Sequence, residues 1–417
     1  MSHTTAQLCW AVFSMEGLAC SDPVRCVENG GLSLRVAREG NVGRSPMSPL
    51  FERLCGDLEQ TRDPELRAVI GARIACLEAR RGDFQEARSR IEAIRTTFGD
   101  GRSGRVTVWL MVAEGLAHHY EKFGSEARDR MTRAQILSTA MKYREVASLS
   151  SAWMAHFHFE SGDYASMERA VASAFEYFEG DNHDANARLA AVLSNAFMIV
   201  GNLEESRRWF TYSKEQATRQ GDRAMVEALL YNRSAFLITW ARAENCIEPI
   251  DAEILQSIRS ELKSTRNFQA LTRIATLPEH VRLWNGRMLM LEGEFDAAMN
   301  ELVAIRDEKR FASHNFSAEF VDLELVYCLK RVGRVDEALE LFDSIPNKRF
   351  DQFDVDEQLV ACWILLQLTS PDSRFGDSVV ARSGFEAALL SYREVMSSLS
   401  SRIENFKFDV RLATTNQ

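Results

Sequence analysis

The sequence predicts an all-α chain, and three observations predict it. Proline is scarce, at 8 of 417 residues, and long stretches rich in Ala, Leu, Glu and Arg carry few Val, Ile or Thr alternations. Apolar residues recur at i, i+3, i+4 and i+7 rather than at every second position. A short phrase also returns at nearly fixed intervals: RRGDFQEARSRI from Arg80, ESGDYASMERAV from Glu160, IVGNLEESRRWF from Ile199, LEGEFDAAMNEL from Leu291 and RVGRVDEALELF from Arg331. A chain of 417 residues exceeds the usual single domain, and self-similarity at this period selects an extended array of stacked units over separate globules.

Residues 1–46 stand apart. CSDPVRCVENGGLSLRVAREGNVGRSP is rich in Gly, Cys and Arg and has no sustained helical period. An irregular, poorly ordered arm is expected there, or an artefact of a start upstream of Met47. From Met47 onward the pattern becomes helical, with Ser48 placed to cap a helix and Pro49 just inside it. Residues 47–369 form the repeat array. The segment PDSRFGDS after Thr369 breaks the pattern, and residues 370–417 supply a closing helix with a polar outer side, as an open-ended array requires.

Within the array the turn positions fall at Gly82, Lys122, Gly162, Gly201, Gly293 and Gly333, in steps of 40, 40, 39, 92 and 40. The long step holds two units, one of whose turns, near Asn245 and Pro249, has lost the phrase. Seven residues before each turn stand Ala75, Gly115, Ala155, Ser194, Gly286 and Val326, mostly small, as required where helix axes approach within about 8–10 Å. Five after come Ala87, Ala127, Met167, Ser206, Ala298 and Ala338, and nine after come the bulky Ile91, Met131, Val171, Phe210, Leu302 and Phe342. Each unit is therefore a helix, a tight turn and a second helix with small residues facing large ones. Gly occupies the turn because the residue ending a helix commonly takes positive φ. The first pair is predicted at 64–80 and 84–97.

These residues resemble the tetratricopeptide repeat in the small-residue crossing, the Gly–polar–aromatic turn and the Ala-to-bulky spacing of the second helix. The resemblance covers residues 64 to 345, with a unit nearer 40 residues than the family's 34. It implies a right-handed α-α superhelix of about seven to eight hairpins whose first helices line a concave groove. Carried onto this chain, the groove columns hold Trp109, His119, His156, Phe159, Arg188, Asn195, Arg287, Tyr327 and Lys330. Asn195, Arg188, Arg287 and Lys330 could hold a peptide backbone or an acidic side chain, while Trp109, Phe159 and Tyr327 offer apolar anchors. The alternative for the same side chains is packing of the inner wall.

Charge and composition narrow the function classes. The net charge of -10 repels a polyanion, so no nucleic-acid partner is expected. The segment from Arg62 to Arg105 carries ten arginines against seven acids, a local +3 too mild to reverse that. The preference for arginine over lysine suggests, by association alone, a GC-rich and bacterial genome. Eight cysteines without CxxC spacing fit a reducing, cytoplasmic setting. No apolar run approaches 18 residues, so no membrane span is expected. The N-terminal LCWAVFSMEGLAC lacks a preceding basic residue and is interrupted by Glu16, unlike a secretory leader.

Chemical motifs are few. His118, His119, His156 and His158 invite a metal reading, but His156 and His158 are two apart on different helix faces, and the histidines are read as core or surface residues with no metal and no cofactor. GDGRSG from Gly99 fits GxGxxG in form, yet a helix precedes it where a phosphate cradle needs a strand, so it is read as a linker. Asn232 and Arg233, mid-helix after Asp222 and Glu227, demand buried partners, from a hydrogen-bond network or a contact surface. No catalytic signature is present. The expectation is a protein-interaction module or adaptor, not an enzyme, that binds a peptide or protein partner in the groove; a peptide- or ligand-sensing regulator that changes superhelix curvature is the alternative. A homodimer stays open.

Overall fold

A computed structural model describes residues 48–98, 101–122, 125–272, 278–306, 318–346, 353–369 and 373–409. The irregular arm read at residues 1–46 lies outside the described residues, as do Gly99 and Asp100 of the GDGRSG segment. Every regular element among the described residues is helical, and none is a strand. Among the described residues no helix is long and apolar enough to cross a membrane.

The first helix, α1 (Pro49–Gln60), starts as its sequence dictates: the Ser48 side chain accepts from the Phe51 N–H at 3.3 Å and proline occupies the first turn. Eight helix pairs follow among the described residues. They are α2 (Pro64–Arg80) with α3 (Phe84–Phe98), α4 (Gly104–Lys122) with α5 (Ser125–Ala140), α6 (Arg144–Glu160) with α7 (Tyr164–Glu176), and α8 (His183–Ile199) with α9 (Leu203–Gln220). The remaining four are α10 (Arg223–Asn245) with α11 (Ala252–Thr272), α12 (Pro278–Leu291) with α13 (Phe295–Arg306), α14 (Ala318–Arg331) with α15 (Val335–Ser344), and α16 (Val355–Thr369) with α17 (Ser378–Ile403). Short 3₁₀ turns at Ser373–Phe375 and Glu404–Phe406 frame α17.

The recurring phrase has a local physical cause. At Gly82, the glycine N–H bonds to Ala79 O at 3.1 Å and the next N–H, of Asp83, reaches back to Glu78 O at 2.9 Å. The same pair of bonds recurs at Gly162, Gly201, Gly293 and Gly333, all with positive φ between 67° and 83°. This double closure satisfies the last carbonyls of the first helix and forces the left-handed conformation on the glycine. The polar residue that follows opens the second helix, with Asp163 accepting from Ser166 N and Asn202 from Glu205 N. The phrase is thus a stop signal fused to a start signal.

The small and bulky columns meet across the pairs. A Cβ built on Gly115 would lie 3.3 Å from Ala127 O and 3.4 Å from the Met131 methyl, and one on Gly286 would touch Leu302 at 3.3 Å. Ser194 Oγ donates to Ser206 O at 3.0 Å. Successive pairs stack first helix on first helix, α2 on α4, α6 on α8, α8 on α10, α10 on α12 and α14 on α16, around one continuous apolar core.

Three contacts join elements remote in sequence. Arg80 at the end of α2 pairs with Asp222, the N-cap of α10, at 2.7 Å. The α1 helix lies on α2 through Leu50, Leu54, Ile70, Ile74 and Leu77, and reaches the α9–α10 turn, where Arg53 Nη2 donates to Gln220 O at 2.8 Å and Leu50 N to Gly221 O at 3.3 Å. At the other end, α17 packs on α7 and α8, Arg402 pairs with Glu168 at 2.8 Å, and Trp209 Nε1 donates to Phe406 O at 3.0 Å.

Candidate functional site

All nine side chains carried into the groove columns stand on first helices, and eight of the nine are buried; Lys330 is the half-exposed one. They fall into separate neighbourhoods rather than one continuous strip.

The first is built on α4, α6 and α8. His119 near the end of α4 and His156 on α6 have ring centroids 5.7 Å apart at 88°. Trp153, one turn before His156, packs edge-on against both rings at 5.9 and 5.5 Å, and the Arg188 guanidinium from α8 sits 3.8 Å over the Trp153 ring. Glu160 lies four residues after His156 on the same helix face, its Oε1 3.1 Å from His156 Nε2. The donor atoms of His119, His156 and Glu160 lie within 4.8 Å of one another, and all three residues are buried. Burial disfavours their charged forms: it pushes the His119 imidazole down to about 4 and His156 well below its ordinary value, and it pushes the Glu160 carboxyl up to about 7. The Arg188 guanidinium is pushed down by burial to about 10.

Beside this cluster, under α1, a cavity of about 20 Å³, room for one water, is lined by Leu50 and Leu54 of α1 together with Arg73, Trp109, Leu149 and Trp153. The Arg73 guanidinium stands 5.3 Å over the Trp109 ring. One of the nine groove side chains, Trp109, therefore lines a cavity that a helix of the same chain closes.

The second neighbourhood bridges α10, α12, α14 and α16. Glu324, fully buried, accepts from Arg287 Nε at 3.0 Å and from Arg242. Arg287 also approaches Glu357 at 4.0 Å and lies 5.3 Å over both the Trp284 and Phe320 rings. Burial pushes the Glu357 carboxyl up to about 8 against the pull of Arg287. Further along, Tyr327 accepts from Arg331 at 2.7 Å and its ring contacts Trp363 at 5.4 Å, while Lys330 Nζ donates to Gln367 O at 2.9 Å. Phe159 packs on Phe236 at 5.8 Å, and Asn195 is buried.

Sequence spacing passes over the acidic members. Glu160 is legible as the i+4 partner of His156, which a search confined to histidine pairs misses. Arg80, Arg242, Glu324 and Glu357 carry no local signal, because their partners come from other pairs. Of the mid-helix polar residues, Arg233 pairs with Glu261 at 2.9 Å and covers Phe210 at 4.7 Å, and Asp222 both caps α10 and pairs with Arg80. His118 approaches Glu126 at 3.2 Å on the surface side. A helix, α3, precedes Gly101–Ser103 and α4 follows. The thiols of Cys246 and Cys328 are pushed up to about 12 by burial, which leaves them poor nucleophiles.

No family model matches the chain, and no curated protein matches it.

Proposed function

We propose that the helix pairs wind as a right-handed α-α superhelix of the tetratricopeptide type and that the first-helix face serves as a docking wall for a peptide or protein partner. One observation carries the reading: α1, an amphipathic helix of 12 residues, seats Leu50 and Leu54 on Ile70, Ile74 and Leu77 of the first helix α2 and closes over a small cavity that Trp109, Leu149 and Trp153 also line. A wall that accepts one amphipathic helix has the anchor pockets to accept another. In this reading α1 is the resident occupant and a partner helix competes with it. The five cysteines among the described residues, Cys55, Cys76, Cys246, Cys328 and Cys362, are unbridged, which supports a cytoplasmic setting.

The test uses the full chain. Leu50→Glu/Leu54→Glu should dislodge α1, and a labelled peptide of residues 48–61 should then bind at least tenfold more tightly to the variant than to the native chain, read by fluorescence anisotropy. Equal weak binding to both would sink the reading.

A second reading is a sensor whose curvature responds to a ligand. The Arg80–Asp222 pair favours it, since that contact ties the first helix pair to the fifth and its opening would change the curvature. Small-angle scattering of the native chain and of Arg80→Ala should then differ in radius of gyration; superimposable curves would remove it.

A further inference from the structure

We infer that His119, His156 and Glu160 form a binding site for a divalent transition metal of the zinc type, clamping the second helix pair to the third. The donor set is two imidazoles and one carboxylate, chemistry that suits zinc, cobalt and iron and disfavours calcium and magnesium. The donor atoms already lie within 4.8 Å of one another, with His156 Nε2 and Glu160 Oε1 at 3.1 Å. A tetrahedral ion with bonds of about 2.0–2.1 Å separates its ligand atoms by about 3.3 Å. The His156–Glu160 pair is therefore already at ligand spacing, and His119 closes the remainder by a side-chain adjustment of at most about 1.5 Å.

The surroundings are those of a constructed site rather than a chance encounter. Glu160 and His156 are fixed by the rigid i,i+4 geometry of one helix, and the Trp153 ring packs on both imidazoles and limits their rotation. The nearest positive charge, Arg188, shares its helix with Asp184 four residues earlier, and Arg80 is neutralised by Asp222. An ion bound by an ionised Glu160 keeps one position open and one net positive charge. Hydroxide or an anionic ligand group beside Arg188 would complete both. Without a metal, three titratable groups are buried where apolar side chains of the same size would pack at lower cost.

The experiment loads the full, chelator-treated chain with Co²⁺. The expected result is one Co²⁺ per chain by elemental analysis and a tetrahedral d–d visible spectrum, displaced by one equivalent of Zn²⁺. His156→Gln and Glu160→Gln should each lower affinity at least tenfold while far-ultraviolet circular dichroism stays native. His118→Ala, on the exposed side, should bind as the native chain does. A native chain that shows no tetrahedral spectrum at tenfold excess Co²⁺ overturns the site, whether or not the variants fold. So does native-level binding by folded His156→Gln or Glu160→Gln.

Discussion

Arg80 and Asp222, 142 positions apart, meet at 2.7 Å with both side chains buried. The contact means that stacking alone does not place the ends of the first five helix pairs; a specific ion pair ties the first to the fifth. Arg80→Ala leaves the Asp222 carboxylate buried and unpartnered by that guanidinium, and should cost about 3–5 kcal/mol in chemical denaturation. The double change Arg80→Met/Asp222→Asn keeps the capping oxygen toward Met225 and removes both charges, so it should be less destabilising than Arg80→Ala alone. The reverse order would show that the ion pair is not the source of the effect.

Gly221 offers a way to move α1 without charging the core. Its φ is +78°, and an added Cβ would stand 3.0 Å from Pro49 Cβ and 3.2 Å from Leu50 N. Gly221→Ala should therefore loosen α1 and raise amide exchange in residues 49–60 beyond the cost of about 1–2 kcal/mol expected from backbone strain. Gly293→Ala is the control, with φ +81° and nothing within 4 Å. Matching exchange in the two variants would mean that α1 does not rest on the α9–α10 turn.

The C-terminal segment should behave as a strap. Phe406 stacks on Phe175 at 5.9 Å and 12°, and Phe408 meets Trp209 edge-on at 5.0 Å, while its N–H donates to Glu205 at 2.7 Å. Both rings are half-buried, so Phe406→Ala and Phe408→Ala should each cost about 1 kcal/mol. Hydrogen exchange should quicken in α7 and α9 and stay native in α2 to α4. Uniform quickening would indicate global destabilisation instead.

Stability should also depend on pH through Glu357. Its carboxyl, ordinarily near 4.5, is pushed up to about 8 by burial, next to Arg287, Arg242, Asp354 and Asp356. A raised carboxyl binds its proton more tightly when folded, so its contribution is complete below about pH 4.5 and is lost as pH rises toward 8. The slope for one proton is at most about 1.4 kcal/mol per pH unit. Glu357→Gln should flatten the fall in the unfolding midpoint between pH 5 and 8; an unchanged profile would place the titration elsewhere.

The helix pairs were legible because their signals are local. The stop-and-start phrase at Gly162 and Gly201 is encoded in three successive residues, and the first pair falls at Pro64–Arg80 and Phe84–Phe98, within a residue of the spacing argument. The small columns are legible for the same reason, since residues five and seven from a turn are fixed by helix geometry. What those columns face is not local. Arg188 was placed on a first-helix face, but its Trp153 platform comes from another pair, and no spacing along α8 announces it. Glu324 reads as one acid among sixty until the fold brings Arg242 and Arg287 to it.

The strap has a consequence for synthesis. The Trp209 indole donates to a carbonyl 197 positions later, so its surface is finished only when residues 404–409 have been made. At about 5–20 residues per second, the ring waits roughly 10–40 s after leaving the ribosome. During that interval a nascent chain shows Phe175, Trp209 and Tyr212, the rings that Phe406 and Phe408 later cover, to whatever is near.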